Sequence, residues 1–249
     1  CVEMRCGEAR LIFDAGTGIR LLGRELAAHS PAELHLFFSH VHWDHIQGFP
    51  FFAPAFIPGN TIHLHGPRNY LGTIETVLGG QMEFPTFPVV LDDLGADLIF
   101  HDVTGGDVIE LSPELRVRTA CGNHPGGVLA YRVEYGGKSV VYATDTEYGP
   151  EDLDPAFVEL CRDADLLIFD TMYTPEEYDG RADGRSRKGW GHSTREGGVA
   201  LAKAAGVKRY ALFHHDPDQD DAAVEQKLER TKQDFENCLL AREGLVLEV

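Results

Sequence analysis

Basic residues are scarce in this chain: 22 lysines and arginines stand against 40 aspartates and glutamates, a formal net charge of −18. Such a surface repels a phosphate backbone at long range, which disfavours a nucleic-acid polymer as the partner. Long hydrophobic runs are missing as well. No stretch stays apolar for about 18 residues, so no membrane helix is expected, and nothing like a secretory signal opens the sequence. Paired cysteines are absent. Cys1, Cys6, Cys121, Cys161 and Cys238 are odd in number and scattered, with no Cys-x-x-Cys. That pattern fits reduced thiols in a cytoplasmic protein, not a disulfide framework, and Cys6 and Cys121 are expected as small buried residues. Linkers, low-complexity segments and strong repeats are also lacking. The first residue is Cys1 and not Met, which places the natural N-terminus upstream as an expectation.

What remains is an ordinary globular composition, 43% hydrophobic and 25% charged over 249 residues. The length supports one domain, 1–249, built of two β–α halves. Strands are expected at Arg10 to Phe13, Leu34 to Phe38, Thr61 to His65, Glu114 to Thr119, Lys138 to Ala143, Leu166 to Phe169, Arg209 to Phe213 and Leu245 to Val249. A hairpin-rich region is expected from Asp97 to Tyr135, with Gly105-Gly106 and Gly136-Gly137 as its turn signals. Helices are expected after Gly18 to about Ala28, from Pro67 to about Leu78, from Ser193 to Ala205 and from about Asp220 to Arg242. Gly16 and Gly18 lack the rest of a dinucleotide fingerprint and the Walker lysine, so they mark a tight strand-to-helix turn. A faint echo links LIFDAGTG with VVYATDTE, both strand–aspartate–turn units, and suggests chemistry at a common edge of the two halves.

The densest chemistry lies in FFSHVHWDHIQG. His40, His42, Asp44 and His45 fall within six residues, directly after a buried strand. Residues two apart in an extended segment point the same way, so His40 and His42 can grip one ion together. Asp44 and His45 follow the bend and can face a second position. Neutral imidazole mixed with carboxylate suits borderline metals such as zinc, and also manganese or iron. Asp14, closing an earlier strand, is placed to support this cluster from behind. His124 on a turn, Asp145 at a strand end and His214 or His215 at another strand end project from the same kind of position. A site assembled from several strand ends draws its ligands from such distant points in sequence.

Taken in this order, His40-x-His42-x-Asp44-His45, His124, Asp145 and His214 resemble the metal-binding signature of the metallo-β-lactamase superfamily. The resemblance implies an α/β fold, a four-layer αβ/βα sandwich, with two divalent metal ions along one edge. It implies His40, His42 and His124 on one ion and Asp44, His45 and His214 on the other, with Asp145 bridging. Ala143-x-Asp145-Thr146 and Gly191-His192-Ser193-Thr194 are similar to motifs of the phosphodiesterase branch that includes ribonuclease Z. Two features depart from that branch. Asp170-Thr171-Met172-Tyr173 stands where ribonuclease Z has a histidine-led motif, and no basic, glycine-rich arm for transfer RNA is evident between Asp145 and His192.

The resemblance implies attack on phosphorus by a hydroxide shared between two ions about 3.5–4 Å apart, with Asp44 orienting it and Asp145 holding the pair. His192 is expected beside the leaving oxygen, giving it a proton or a hydrogen bond. Arg185, Arg187 and Lys188 precede His192 and, with His215, are candidate substrate contacts; a merely solvated loop fits the basic stretch equally well. The proline-rich segments Phe49 to Pro58 and Phe84 to Val90 are read as aromatic loops: a wall around a small substrate, a homodimer contact, or core packing. The expected substrate is a small phosphodiester of nucleotide or cyclic-nucleotide type. A thioester, lactone or lactam hydrolase on the same scaffold and a non-catalytic metal-dependent sensor are the alternatives.

Overall fold

The computed structural model describes residues 1–68 and 72–249. The chain divides into two compact units, Cys1–Thr104 and Gly105–Val249.

In the first unit, β1 (Val2–Cys6) and β2 (Ala9–Phe13) form an antiparallel hairpin. Helix α1 (Ile19–Leu26) leads to β3 (Glu33–Phe37), and the short α2 (Trp43–Ile46) leads to β4 (Thr61–Pro67). Helix α3 (Ile74–Gln81) then precedes β5 (Asp97–Val103). The sheet order is β1-β2-β3-β4-β5, parallel from β2 onward. Alternation along the strands sends Ile12, Leu34, Leu36, Ile62 and Leu64 to one face, where Ile19, Leu26, Ile74 and Leu78 of the helices close over them. Each fully buried aliphatic or aromatic side chain contributes roughly 1.5–3 kcal/mol. Phe49, Phe52 and Ala55 from the proline-rich segment belong to the same core, while Phe51 is exposed and sets its ring edge-on to Phe87, 5.6 Å away.

The opposite face of β3, β4 and β5 carries His35, His63, His65 and His101. Their rings stack, with centroids 4.7 Å apart for His35 and His63 and 4.4 Å for His65 and His101. Burial, reinforced by the neighbouring rings, pushes His35 down to about 4 and His65 to about 2.

The second unit opens with an antiparallel meander: β6 (Val108–Ser112), β7 (Leu115–Gly122), β8 (Val128–Tyr135) and β9 (Lys138–Ala143). After α4 (Pro155–Cys161) come β10 (Leu166–Asp170), the one-turn α5 (Pro175–Tyr178) and α6 (Arg195–Ala204). The remaining elements are β11 (Tyr210–Phe213), α7 (Asp221–Asp234) and β12 (Cys238–Leu240). The order is β12-β11-β10-β9-β8-β7-β6, with β9 to β12 mutually parallel. Every residue of β10 is buried, as expected of a central parallel strand covered on both faces. Phe169 and Leu212 pack with Phe157 and Leu160 of α4 and Val199 and Leu201 of α6. Thr194 caps α6 by accepting the Gly197 N–H.

Several expected elements are corrected. Pro67 does not open a helix: it ends β4, paired with Val103 at the last rung of the ladder, where a missing N–H costs little. That helix begins at Ile74, and residues 69–71 of its expected span lie outside the described residues. Gly105-Gly106 is not a hairpin turn, because β5 and β6 belong to different sheets. The last helix stops at Asp234, and Cys238–Leu240 pairs with β11 instead. The segment from Leu245 to Val249 forms no strand. Cys6 is buried as expected, but Cys121 is exposed on β7. Among the described residues, no helix is long and apolar enough to cross a membrane.

Candidate metal centre

In each unit, ligand-type side chains gather just beyond the carboxyl ends of parallel strands, the usual position for a site in an open α/β sheet. In the first unit these ends belong to β2 and β3. Asp14 follows β2 in a left-handed conformation (φ 58°), which turns its carboxylate back over the end of β3. There Oδ1 accepts the Ser39 backbone N–H at 2.7 Å. Oδ2 accepts the Ser39 hydroxyl at 2.8 Å and lies 2.8 Å from Nδ1 of His45. Burial alone would raise the Asp14 carboxyl. The charge and hydrogen bond of His45, helped by His40 and the Ser39 N–H, outweigh that and leave it below its ordinary value.

The rings of the motif are crowded together. His40 and His42 have centroids 4.6 Å apart and lie edge to face, and His40 and His45 are 4.2 Å apart. Nδ1 of His40 is 3.1 Å from the Ser39 hydroxyl, and Nε2 of His45 is 3.1 Å from the exposed carboxylate of Asp44. Gly16 makes the fold of this loop possible: a Cβ there would collide with the Asp44 carbonyl. The backbone follows suit, with Ala15 N–H bonded to the His45 carbonyl at 2.7 Å.

In the second unit the corresponding ends are those of β9, β10 and β11. Asp145 (φ 49°) and His214 (φ 55°) are again left-handed non-glycine residues just past a strand. Nε2 of His214 lies 3.3 Å from Oδ2 of Asp145 and its Nδ1 lies 3.6 Å from Oδ2 of Asp170. Nδ1 of His192 is 2.8 Å from Asp170 Oδ2, and its ring stacks on His214 with centroids 5.1 Å apart. Asp145, Asp170, His192 and His214 each offer a ligating atom within 4.8 Å of the others.

The loop ahead of His192 is tied down by Glu147. Its carboxylate accepts the N–H groups of Gly189 and Gly191 at 2.8 Å and the Tyr178 hydroxyl at 2.7 Å. The Gly191 carbonyl in turn accepts from Nδ1 of His124 at 2.9 Å. Any Cβ on Gly191 would run into the His124 ring, so this approach requires glycine.

The donor chemistry fits a borderline divalent cation. His40, His45 and His124 each have Nδ1 engaged by a hydroxyl, a carboxylate or a carbonyl. Such partners fix the tautomer of metal-binding histidines and present Nε2 as the ligand. None of the cysteines joins a metal-type cluster among the described residues.

The sequence reading named His40, His42, Asp44 and His45, which the first unit brings together, and Asp145, His192 and His214, which the second brings together. His215 points elsewhere: its Nδ1 lies 3.5 Å from the Thr171 hydroxyl, and burial, with Lys227 nearby, pushes it down to about 4. Arg187 is forked onto Asp183, and Lys188 pairs with Asp179 at 2.9 Å, so two of the three basic candidates are neutralised within their own loop. Arg185 is exposed there. Sequence reasoning missed Asp170, Ser39 and Glu147. Asp170 had the same signal as Asp14 and Asp145, an acid closing an apolar strand.

Comparisons with known proteins bear on the family and the fold. The Beta-lactamase superfamily domain matches residues 9–215. The chain is 26% identical over 265 residues to a ribonuclease Z of Haloferax volcanii, covering 84% of this chain and 76% of that one. The metallo-beta-lactamase fold protein YhfI from Bacillus subtilis superposes with a TM-score of 0.69 at 18% identity, over 98% of this chain and 88% of that one. A diphosphatase from the PhnP family gives 0.68 at 20% identity, over 99% and 83%. The expected metallo-β-lactamase fold is therefore the fold observed, with two sheets and their helices. With ligand-type clusters at its strand ends and a family match over most of its length, the chain belongs to the beta-lactamase superfamily and is one of its hydrolases.

Proposed function

We propose that this hydrolase is a dinuclear metal-dependent phosphodiesterase acting on a small phosphodiester of nucleotide or cyclic-nucleotide type, the two units working as a single domain. His40, His42 and His124 are assigned to one ion, Asp44, His45 and His214 to the other, and Asp145 to both. Zinc is the favoured ion, with manganese or iron compatible with the same donors. When bound, such a pair supplies a hydroxide nucleophile near neutral pH and neutralises charge on the phosphoryl oxygens.

The observation that carries the phosphodiester reading is the His192–Asp170 pair beside Asp145 and His214. An alkoxide leaving group needs a proton or a strong hydrogen bond as its bond to phosphorus breaks. Asp170 occupies Nδ1 of His192, which leaves Nε2 as the nitrogen that serves the leaving oxygen. Asp44, exposed and next to His45, orients the nucleophile. A lactone or thioester has less need of such a donor.

Two observations support a small substrate over an RNA chain. The net charge is −18, and the one basic loop spends Arg187 and Lys188 on its own aspartates. The ribonuclease Z name of the Haloferax volcanii relative keeps an RNA substrate as the competing reading.

The test is hydrolysis of bis(p-nitrophenyl) phosphate by metal-reconstituted protein, with thioester, lactone and RNA substrates assayed beside it. Turnover that collapses in Asp145→Asn and falls about 100-fold in His192→Ala is expected. A protein whose ligands at His40 and at Asp145 are both loaded with metal but which is inert toward phosphodiesters overturns the assignment, and activity confined to RNA overturns the small-substrate part.

A further inference from the structure

Strand β3 carries metal-type chemistry at both ends. The motif of His40 lies past its carboxyl end, while Glu33 and His35 sit at its start, two residues apart and on one face. The register sets His35 of β3 directly beside His63 of β4. Their rings are nearly coplanar in direction, 13° apart, with centroids separated by 4.7 Å.

Both Nε2 atoms converge on one carboxylate oxygen. Oε1 of Glu33 is 3.2 Å from Nε2 of His63 and 3.8 Å from Nε2 of His35. All three ligating atoms lie within 4.8 Å of one another. In a tetrahedral zinc site with bonds of about 2.0–2.1 Å, neighbouring ligand atoms stand roughly 3.3 Å apart. The two separations from Glu33, 3.2 and 3.8 Å, bracket that value. A hydrogen bond explains them less well, because 3.8 Å is beyond hydrogen-bond range and leaves His35 facing the carboxylate without a bond.

The far sides of both rings are already supported. Nδ1 of His35 is 3.3 Å from Nε2 of His65, and Nδ1 of His63 is 3.0 Å from Nε2 of His101. Metal-binding histidines are held in this way, with the second nitrogen engaged so that the first is oriented and made a better donor. The Glu33 side chain is 66% exposed, so ions reach the cluster from solvent and water can complete the coordination.

We propose that Glu33, His35 and His63 form a second cation site, separate from the cluster at His40, that binds one borderline divalent transition-metal ion of the zinc class. The ion cross-links β3 to β4, and water fills its remaining position. His65 and His101 are positioning residues, acting on the ion through His35 and His63.

The test is equilibrium dialysis of the metal-stripped full chain against buffered zinc, with bound metal counted per chain. Wild type is expected to hold one equivalent more than Glu33→Gln/His63→Gln, whatever the occupancy of the other cluster. Glu33→Gln alone, an exposed change that spares the sheet, is expected to weaken that extra equivalent about tenfold or more. His101→Ala is expected to weaken it about 10–100-fold, as loss of a supporting partner does. Thermal melting of the zinc-free proteins controls for folding. Equal stoichiometry and affinity in wild type and Glu33→Gln overturn the proposal, as does an extra equivalent that survives the double substitution. Neither result touches the phosphodiesterase assignment, which the activity of Asp145→Asn decides separately.

Discussion

The carboxylate of Asp170 is divided between two tasks: Oδ2 lies 2.8 Å from Nδ1 of His192, and Oδ1 accepts the backbone N–H groups of Met172 and Ser193, each at 3.0 Å. It is fully buried. One oxygen therefore fixes the ring and the other fixes the turn that delivers it.

Asp170→Asn separates those tasks. The asparagine oxygen keeps both backbone bonds, while its amide donates to Nδ1 of His192, so the imidazolium that would give up a proton from Nε2 loses its stabilising carboxylate. The expected result is a fall in kcat on bis(p-nitrophenyl) phosphate of about 10²–10⁴-fold, with metal content and melting temperature near wild type. Unchanged kcat would remove His192 from the catalytic scheme.

Asp14→Asn tests support for the first cluster. Asparagine tolerates the left-handed backbone at this position, so the turn survives. Its amide would face Nδ1 of His45 as a donor and place the ring proton on Nε2, the nitrogen wanted for ligation. Metal retained after dialysis against a chelator should show affinity weakened about 10–100-fold.

Glu147→Ala removes the acceptor of two backbone N–H groups and the Tyr178 hydroxyl at once. The loop holding Arg181, Arg185, Arg187 and Lys188 should then open more often, and trypsin should cut it at least about tenfold faster than in wild type. A digestion time course on gels reads this directly. Equal cleavage rates would mean the loop is held by its own aspartates alone.

Lys227 gives a pH signature. Burial, only partly offset by neighbouring acids, holds its ammonium at about 8 instead of 10.5, and Nζ donates to the Thr171 carbonyl and Gln219. Between those two values the unfolded chain binds a proton that the folded chain lacks, so this group's contribution to stability rises with pH across the window. Below pH 8 the cost of the buried charge is felt in full. Urea unfolding of wild type minus Lys227→Met should therefore rise by on the order of 2 kcal/mol from pH 8 to 10. A flat difference would mean that Lys227 titrates like a solvated lysine.

Much of this architecture was legible because hydrophobic period and short polar motifs report different things. The strand before His40 announces itself as an apolar run, and the motif after it packs four ligand-type side chains into six residues. Lys138–Ala143 was read to the residue because apolar alternation and a Gly-Gly turn bound it on one side and a polar triplet on the other. The end of the chain is illegible for the opposite reason. Cys238-Leu239-Leu240 is too short to show a period, and only the parallel pairing with Tyr210–Leu212 makes it a strand. Pro67 carries the same ambiguity, since the ring that suits a first helical turn also suits the last rung of a ladder. Asp170 closes an apolar strand as Asp14 and Asp145 do, but its bond to His192 joins distant segments and only the fold makes it. The partners of Glu33, His35 and His63 lie on two strands almost thirty residues apart, and only the register makes them neighbours.

The left-handed residues at the strand ends have a practical consequence for anyone who sets out to harden this enzyme. Asp14, Asp145 and His214 each hold the chain in a conformation that costs a side-chain-bearing residue on the order of 1 kcal/mol, and glycine would relieve it. At Asp14 and Asp145 glycine would also remove a buried carboxylate that accepts hydrogen bonds, and those bonds outweigh the strain. Asp163 shares the same backbone geometry, with φ 52° on an exposed turn, and has no part in either cluster. It is the position where that stabilisation comes without loss of function.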